Sequence, residues 1–188
     1  MTTTVERIGY VSTEGGPLLV GDLDLARSWR GAFGDGADYG RACQALETAA
    51  GARGVQIEVN GKPAIVWDMP TGIAEVWRLT ANSLVLSRPW FADNVDVDLV
   101  GYQLATLPAQ TQVVLGNLDL SSGWLLVMWA AEDGGDVIHI DPIDGLTLNL
   151  SVGDAGVIAA LPAGRYACYH DEVGDGSSTS QRCLIVAQ

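Results

Sequence analysis

The two histidines of this 188-residue chain are the residues best suited to acid–base or metal chemistry. Asp141 lies two residues after His139, and Asp171 and Glu172 directly follow His170. Imidazole nitrogens and carboxylate oxygens are both common metal ligands. The same alternation is typical of a solvated strand face, and the spacing matches no established ligand motif. We therefore predict no metal and no cofactor, and a metal-dependent or other hydrolase that uses His139 and His170 remains an alternative.

The cysteines and glycine loops indicate no specific chemistry either. Cys43, Cys168 and Cys183 lack the C-x-x-C spacing of zinc and redox sites, and Cys43 falls on the apolar face of a predicted helix. The chain contains neither the G-x-S-x-G turn of serine hydrolases nor a phosphate-binding glycine loop. We predict that the protein is not an enzyme.

The charge balance excludes some partners and favours others. The 23 acidic and 10 basic residues give a net charge of −13, and Lys62 is the single lysine. Nucleic-acid binding requires clustered Lys and Arg, so we predict no nucleic-acid partner. The acidity either maintains solubility or speeds the encounter with a basic protein. The sequence shows no secretory signal and no apolar run of membrane-spanning length, so we expect a cytoplasmic protein without membrane contact.

One aromatic pair stands apart from the predicted core. Trp90 and Phe91 follow Arg88-Pro89 in a predicted loop and precede a run of aspartates. An aromatic anchor surrounded by carboxylates would suit a basic protein partner, and a loop folded over the core is the alternative. The residues that we predict to contact a partner are Trp90, Phe91, Asp93, Asp96 and Asp98, with Glu132, Asp133 and Asp136 as a second group.

The elements that must position these residues begin with short strands and two helices. Residues 8–11 and 18–20 are apolar runs on either side of a Gly-Pro turn, which predicts a strand pair. Apolar residues at helical spacing predict a short helix over 23–29. Asp38 is placed to cap a second helix, which ends at Gly51.

From residue 54 the apolar residues alternate, as they do in strands. Residues 55–59 precede Asn60-Gly61, a two-residue hairpin turn, and residues 62–67 return as the partner strand. These patterns predict one α+β domain over residues 1–188, rich in antiparallel sheet, with one or two N-terminal helices. Further strands are predicted at 74–79, 84–86, 99–104, 113–115, 124–129, 137–140, 146–150, 156–160, 165–169 and 183–186.

The sequence also repeats itself weakly. Residues 18–25 align with residues 113–120 at an offset of 113 − 18 = 95. Two similar halves, residues 8–90 and 105–188, would follow from a duplication, whereas the unmatched helix at 38–50 favours chance. Further matching pairs are residues 55–59 with 146–150, 69–77 with 161–169, and 83–86 with 183–186.

Three motif blocks in the first third of the chain resemble a known family. They are Ser12-Thr13-Glu14-Gly15-Gly16-Pro17-Leu18, Trp29-Arg30-Gly31 and Asp38-Tyr39-Gly40-Arg41-Ala42-Cys43. In this order they are similar to immunity protein 21 of bacterial polymorphic toxin systems. The motif residues that we expect to be structural are Glu14, Gly15, Gly16, Pro17, Trp29, Gly31, Asp38, Tyr39, Arg41 and Cys43.

The resemblance implies a cytoplasmic immunity protein that is encoded beside a secreted toxin and neutralises the toxin by binding its effector domain. From the charge of this chain, we expect the cognate toxin domain to be basic and its active site to be occluded. Because each immunity protein recognises its own toxin, shared motif residues should determine the fold, and the contact surface should lie elsewhere. A β-rich module that binds a small ligand or has a structural role is a further alternative.

Overall fold

The fold is a sandwich of two antiparallel sheets. The computed structural model describes residues 5–33, 37–108, 111–137, 150–152, 155–174 and 177–188. The strands are β1 (Glu6–Thr13), β2 (Leu18–Asp22), β3 (Gly54–Val59), β4 (Lys62–Trp67), β5 (Gly72–Thr80), β6 (Ser83–Trp90), β7 (Val113–Leu120), β8 (Trp124–Trp129), β9 (Leu150–Val152), β10 (Gly156–Ala160), β11 (Gly164–Gly174) and β12 (Thr179–Ala187). Sheet A has the order β1-β5-β6-β12-β11-β7, and sheet B has the order β3-β4-β2-β8-β10-β9.

Four short helical segments accompany the sheets in the described part of the chain. They are a 3-10 helix (Leu23–Arg27), α1 (Ala37–Thr48), α2 (Val97–Thr106) and α3 (Gly134–Val137). The predicted α+β class with a predominance of antiparallel sheet is therefore confirmed, as are the two helical segments near the N-terminus.

The main core lies between the two sheets, and a second core lies outside sheet B. Successive strand residues point to opposite faces, so Ile65 and Trp67 face the main core whereas Ala64 and Val66 face the helical layer. Strand β8 is likewise buried on both faces. Double burial explains why these strands read as continuous apolar runs and do not alternate.

Helices cover the outer face of each sheet. Outside sheet B, the 3-10 helix, α1 and α3 surround the fully buried Trp29, and Ala42 of α1 belongs to the same cluster. Outside sheet A, Ala105 of α2 packs in a cluster with Trp77 of β5. Tyr102 of the same helix meets the Trp77 ring edge-on at 6.1 Å between centroids. Each sheet therefore buries both faces over part of its area.

The strand order is two-fold symmetric. Sheet A reads β1-β5-β6 and then β12-β11-β7, while sheet B reads β3-β4-β2 and then β8-β10-β9. Each strand of the first six thus occupies a place equivalent to the strand six positions later, with its direction reversed. Segments 69–77 and 161–169, and segments 83–86 and 183–186, fall on equivalent strands, which the sequence comparison predicted. A duplication of the chain stays a prediction.

The alignment at the offset of 95 matches strands that are not equivalent. Residues 18–25 include β2 of sheet B, whereas residues 113–120 form β7 of sheet A. The place equivalent to β2 is that of β8. Short apolar segments that end in Asp-Leu resemble each other in sequence whatever their place in the fold, and here Asp24-Leu25 belongs to the 3-10 helix whereas Asp119-Leu120 ends β7.

The predicted pairing of residues 8–11 with residues 18–20 is also wrong. Strand β1 pairs with β5 in sheet A, and β2 pairs with β4 and β8 in sheet B. Gly15 and Gly16 have φ values of +123° and +101°, a region that favours glycine. The turn between the two strands carries the chain from one sheet to the other, so it is not a hairpin turn.

The strand predicted at 99–104 is helix α2. The Asp96 carboxylate accepts a hydrogen bond from the Leu99 amide and caps the helix, and Gly101, Leu104 and Ala105 form its buried face at helical spacing. Val137, the first residue of another predicted strand, ends α3. The second half is therefore less purely β than its apolar runs indicate.

The hairpin predicted at Asn60-Gly61 is confirmed. Val59 pairs with Lys62 across a two-residue loop whose φ values, +49° and +76°, are both positive. Pro63 pairs with β3 alone, because the register of β4 with β2 ends at Ala64.

Candidate binding site at the Trp90 end of the sandwich

Several strands begin or end together beside Trp90. Trp90 is the last residue of β6 and pairs with Thr179, the first residue of β12. Strand β5 begins at Gly72, next to the same end of β6. Side chains from both strand ends and from the loop after β6 therefore meet at one end of sheet A.

Arg88 is the most unusual side chain at this end. The residue is 8% exposed, its guanidinium carbon lies 4.2 Å from the centroid of the Trp90 ring, and Nη2 donates to the Thr71 carbonyl at 2.7 Å. Nη1 is buried and has no hydrogen-bond partner among the described residues. Burial lowers the pKa of the Arg88 guanidinium, while the charge of Asp68 raises it. An arginine still keeps its proton at neutral pH, so the site holds a cation with one unused donor group.

A cavity of about 440 Å³ opens beside this guanidinium. We define the Trp90 surface as Ile73, Pro89, Trp90 and Phe91, which form the apolar wall of the cavity. Ile73, Trp90 and Phe91 are 49%, 40% and 36% exposed. The other lining residues are Arg7, Thr71, Gly72, Glu75 and Arg88. The cavity thus combines an apolar wall with two arginines and one carboxylate.

The carboxylate of the cavity is part of a network that attaches α2 to sheet A. Glu75 forms an ion pair with Arg7 at 3.0 Å and accepts the Trp77 indole N–H at 3.1 Å. Arg7 also lies 3.6 Å from Asp98 in the first turn of α2. Burial raises the pKa of Glu75, and Arg7 opposes that shift.

The predicted contact residues of the first group lie close together along the chain but differ in role. Trp90 ends a strand and does not lie in a loop as predicted, whereas Phe91 follows the strand and Asp93 is exposed. Asp96 caps α2, and Asp98 pairs with Arg7. Two of the three aspartates therefore have contacts within the protein, although the Asp98 side chain is still 85% exposed, and Asp93 is exposed as well.

The second predicted group lies on the other side of the molecule. Glu132, Asp133 and Asp136 belong to α3 and the segment before it, which packs against the 3-10 helix outside sheet B. Asp133 accepts the Gly135 amide at 2.7 Å and lies 3.5 Å from Arg30. Because α2 covers sheet A, the two acidic groups do not form one surface.

The three motif blocks contact one another. Asp38 accepts the Arg30 amide at 2.8 Å, and the Tyr39 amide donates to the Gly31 carbonyl at 3.1 Å. Asp38 also pairs with Arg41, whose guanidinium carbon lies 5.8 Å from the Trp29 ring centroid. Asp38 lies within the first turn of α1 and not before it, so its position as a preceding cap was predicted wrongly.

The remaining motif residues pack around the same unit. A side chain at Gly16 would collide with the Tyr39 hydroxyl, and one at Gly31 would collide with the carbonyls of residues 131 and 132. The Gly15 carbonyl accepts the Trp129 indole N–H at 3.1 Å, and the Pro17 carbonyl accepts the Ala130 amide at 3.0 Å. The Glu14 carbonyl accepts the Thr71 hydroxyl at 2.9 Å, and Cys43 lies near Tyr39. These contacts give the motif residues roles in packing.

His170 is buried and lies near only one of the two acids that follow it, Glu172. Its Nδ1 accepts the Trp67 indole N–H at 3.3 Å, and Nε2 lies 3.9 Å from Glu172. Burial lowers the pKa of His170, while Glu172 and Asp171 raise it. Asp171 points to the opposite face of β11, where it binds Arg182. Within the described ranges no three potential ligands are placed to hold a metal, and His139 and Asp141 lie outside those ranges.

The Arg182–Asp171 pair is a buried anchor for α2 that sequence reasoning missed. Arg182 donates to both Asp171 oxygens, at 2.8 Å and 2.6 Å. Its Nη1 donates to the carbonyls of Leu104, Ala105 and Leu107 at the end of α2. Both side chains are fully buried. The pair satisfies last-turn carbonyls that have no partner within a helix.

A second polar cluster lies at the opposite end of the sandwich. The buried carboxylate of Asp22 accepts the amides of Asp24 and Ser122, both at 2.9 Å, and lies 3.4 Å from Lys62. Burial raises the pKa of Asp22, but these hydrogen bonds and Lys62 outweigh it and lower the pKa overall. Lys62 also bonds Asp24 and Ser121, so the single lysine joins this cluster.

No described helix combines the length and apolar character that crossing a bilayer would require. Comparisons of the chain with protein-family models, with curated proteins and with solved structures found no match.

Proposed function

We propose that this protein is an immunity protein, which binds the effector domain of a toxin and blocks its active site. The observation that carries the proposal is the Trp90 surface. Two large aromatic side chains and an isoleucine are substantially exposed side by side on a chain whose net charge is −13. The three motif blocks, which resemble the immunity protein 21 family, indicate the kind of partner.

The composition of the Trp90 surface suits a protein interface. Interfaces concentrate their binding energy in a few aromatic or arginine side chains that become desolvated near the centre. Trp90 stacks on Arg88, which holds the indole in place before a partner arrives. Val97 and Leu99 on the neighbouring helix α2 are more than half exposed and supply additional apolar area.

The charge of the chain suits a basic partner. Asp93 is exposed beside Phe91, and the Asp98 side chain is largely exposed at the start of α2. Complementary charge speeds association and weakens as salt is added, because the Debye length is about 8 Å at physiological ionic strength. A basic effector domain would therefore be guided toward the acidic surface and held by the aromatic residues.

The proposal is tested by co-expression. The effector domain encoded next to this gene is produced in a heterologous bacterium with and without this protein, and survival is scored. Binding of the purified pair is then measured for W90A and F91A, with F33A as the matched control, since Phe33 is 59% exposed and lies outside the Trp90 surface. We expect rescue by the wild type, and a loss of at least about tenfold in affinity for W90A and F91A but not for F33A.

Two outcomes would contradict the proposal. If the folded wild type neither binds nor rescues, the acidic surface serves solubility alone. If F91A and W90A melt like the wild type and bind equally well, the contact surface lies elsewhere. Replacing both His139 and His170 by glutamine in the same assay separates binding from catalysis, because rescue by a binding protein should survive the loss of both imidazoles.

A further inference from the structure

Arg88 carries a hydrogen-bonding group that the described protein does not use. Nη2 donates to the Thr71 carbonyl and the Trp90 ring covers one face of the guanidinium, but the buried Nη1 has no acceptor among the described residues. An unsatisfied buried donor destabilises the folded protein, and the cost is larger when the donor is charged. An acceptor that reached Nη1 would recover that free energy, so the site is prepared for an oxygen atom that the described chain does not supply.

The guanidinium of Arg88 has open space beside it. The cavity of about 440 Å³ is lined by the guanidinium itself. Gly72 lies beside it at φ +140°, and a Cβ there would be 3.5 Å from both Nε and Nη2. A side chain in this position would occupy the space beside Nε and Nη2, and glycine leaves that space open next to the buried Nη1.

The charges around the cavity select the kind of anion. Arg7 and Arg88 are the cations that line it, and Glu75, already paired with Arg7, is the carboxylate. Asp98 lies 3.6 Å from Arg7, and the charge of Asp68 interacts with Arg88. The three carboxylates repel a dianion such as phosphate more strongly than a monoanion, and a monoanion needs only one cationic donor. Among monoanions, planar carboxylates match the geometry of guanidinium donors.

We propose that the cavity beside Arg88 binds a carboxylate that is attached to an apolar group. The carboxylate accepts from Arg88 Nη1, and the apolar group packs on Ile73, Trp90 and Phe91. Nη1 is buried, so the side chains that cover it must move for the carboxylate to reach it. This binding does not rest on the immunity function, and it would operate in a protein without a toxin partner.

The probe is N-acetyl-leucine, which joins one carboxylate to a branched apolar side chain, and N-acetyl-leucinamide is its neutral counterpart. Binding to the full chain is measured by calorimetry, together with the NMR shifts of the Trp90 indole N–H and the Gly72 amide. We expect the acid to bind and to move both resonances. The amide should bind at least about tenfold more weakly, since a hydrogen bond to a charged group contributes about 1.5–3 kcal/mol.

Two variants test the role of the arginine. R88Q should weaken binding of the acid at least about tenfold. R165Q, the matched control, removes the same charge from an exposed arginine elsewhere and should leave binding unchanged within about twofold. A tetrapeptide with a free C-terminal leucine distinguishes the sources: tighter binding than the small acid indicates a polypeptide C-terminus, and equal binding indicates a free acid.

The NMR measurement on the wild type keeps the inference falsifiable even if R88Q does not fold. If the Trp90 and Gly72 resonances do not respond to the acid at about 10 mM, the proposal is overturned. Equal binding of the acid and the amide would also overturn it, because the apolar wall would then act without Arg88.

Discussion

Replacing Arg182 by methionine should destabilise the protein severely, because it leaves Asp171 charged and fully buried. The wild-type guanidinium makes five hydrogen bonds, two to Asp171 and three to carbonyls at the end of α2. Removing one partner of a buried ion pair typically costs about 3–5 kcal/mol. Since the unfolding free energy of a domain is about 5–15 kcal/mol, R182M should lose about a fifth of it or more.

The double variant R182M/D171L removes both charges and should recover part of that loss. The remaining penalty comes from three α2 carbonyls without their donor, at about 1 kcal/mol each if water does not replace it. The two single substitutions should therefore sum to at least about 2 kcal/mol more than the double variant costs. Urea denaturation followed by circular dichroism gives the free energies, and hydrogen exchange at residues 104–107 reports on the end of α2.

R165M is the matched control, because Arg165 is 64% exposed and lies 4.0 Å from an equally exposed Asp119. It should change the unfolding free energy by less than about 1 kcal/mol. The reasoning is refuted if R182M costs less than about 1 kcal/mol, or if the two single costs simply add in the double variant.

Three further predictions concern single positions. Gly31→Ala should lower the unfolding free energy by more than about 2 kcal/mol, because the φ of Gly31 is +58° and backbone carbonyls occupy the place of a side chain. Gly40→Ala, on the open face of α1, should raise the unfolding free energy by up to about 1 kcal/mol. Melting temperatures equal to that of the wild type would contradict both. Burial lowers the pKa of His170, so the unfolded chain binds a proton near pH 6.5 that the folded chain does not, and stability should fall as the pH drops below this value. Urea denaturation at about pH 7.5 and 5.5 should show a smaller difference in unfolding free energy for His170→Gln than for the wild type, and equal differences would contradict this prediction. Asp22→Ala should lower the unfolding free energy by about 2 kcal/mol at neutral pH. This loss relative to the wild type should shrink in acid, as the pH falls through the lowered pKa of Asp22. A loss that is constant down to about pH 3 would count against the charged hydrogen bonds.

Local patterns predicted the individual strands better than their partners. The hairpin at Asn60-Gly61 was predictable because its turn residues and both strands are adjacent in sequence. The placement of β1 and β2 in different sheets was not predictable. Their apolar runs look the same whether the two strands pair with each other or with distant strands. Helix α2 was missed because its run of apolar residues suits a strand as well as a helix. The local signal that favours the helix is the cap at Asp96.

The candidate site was predictable only in part. The sequence singled out Trp90 and Phe91 before a run of aspartates but left open whether they are exposed or folded over the core, and in the structure they are 40% and 36% exposed. The unused donor of Arg88 was not predictable from the sequence. It depends on where Thr71 and the Trp90 ring lie in three dimensions. A lone arginine inside an apolar strand was the available signal, since buried arginines require an acceptor for each donor.

The two-fold strand order has a consequence for how the chain reaches its fold. The halves are hydrogen-bonded to each other along β6–β12 and β2–β8, where Leu86 pairs with Cys183 and Leu19 pairs with Met128. These seams join residues that lie 183 − 86 = 97 and 128 − 19 = 109 positions apart. Contacts of such high sequence separation slow folding, because loop closure must precede the gain from pairing. Until the seams close, each half exposes the edge of a three-stranded sheet on both layers, which makes the unfinished chain prone to pairing with other copies.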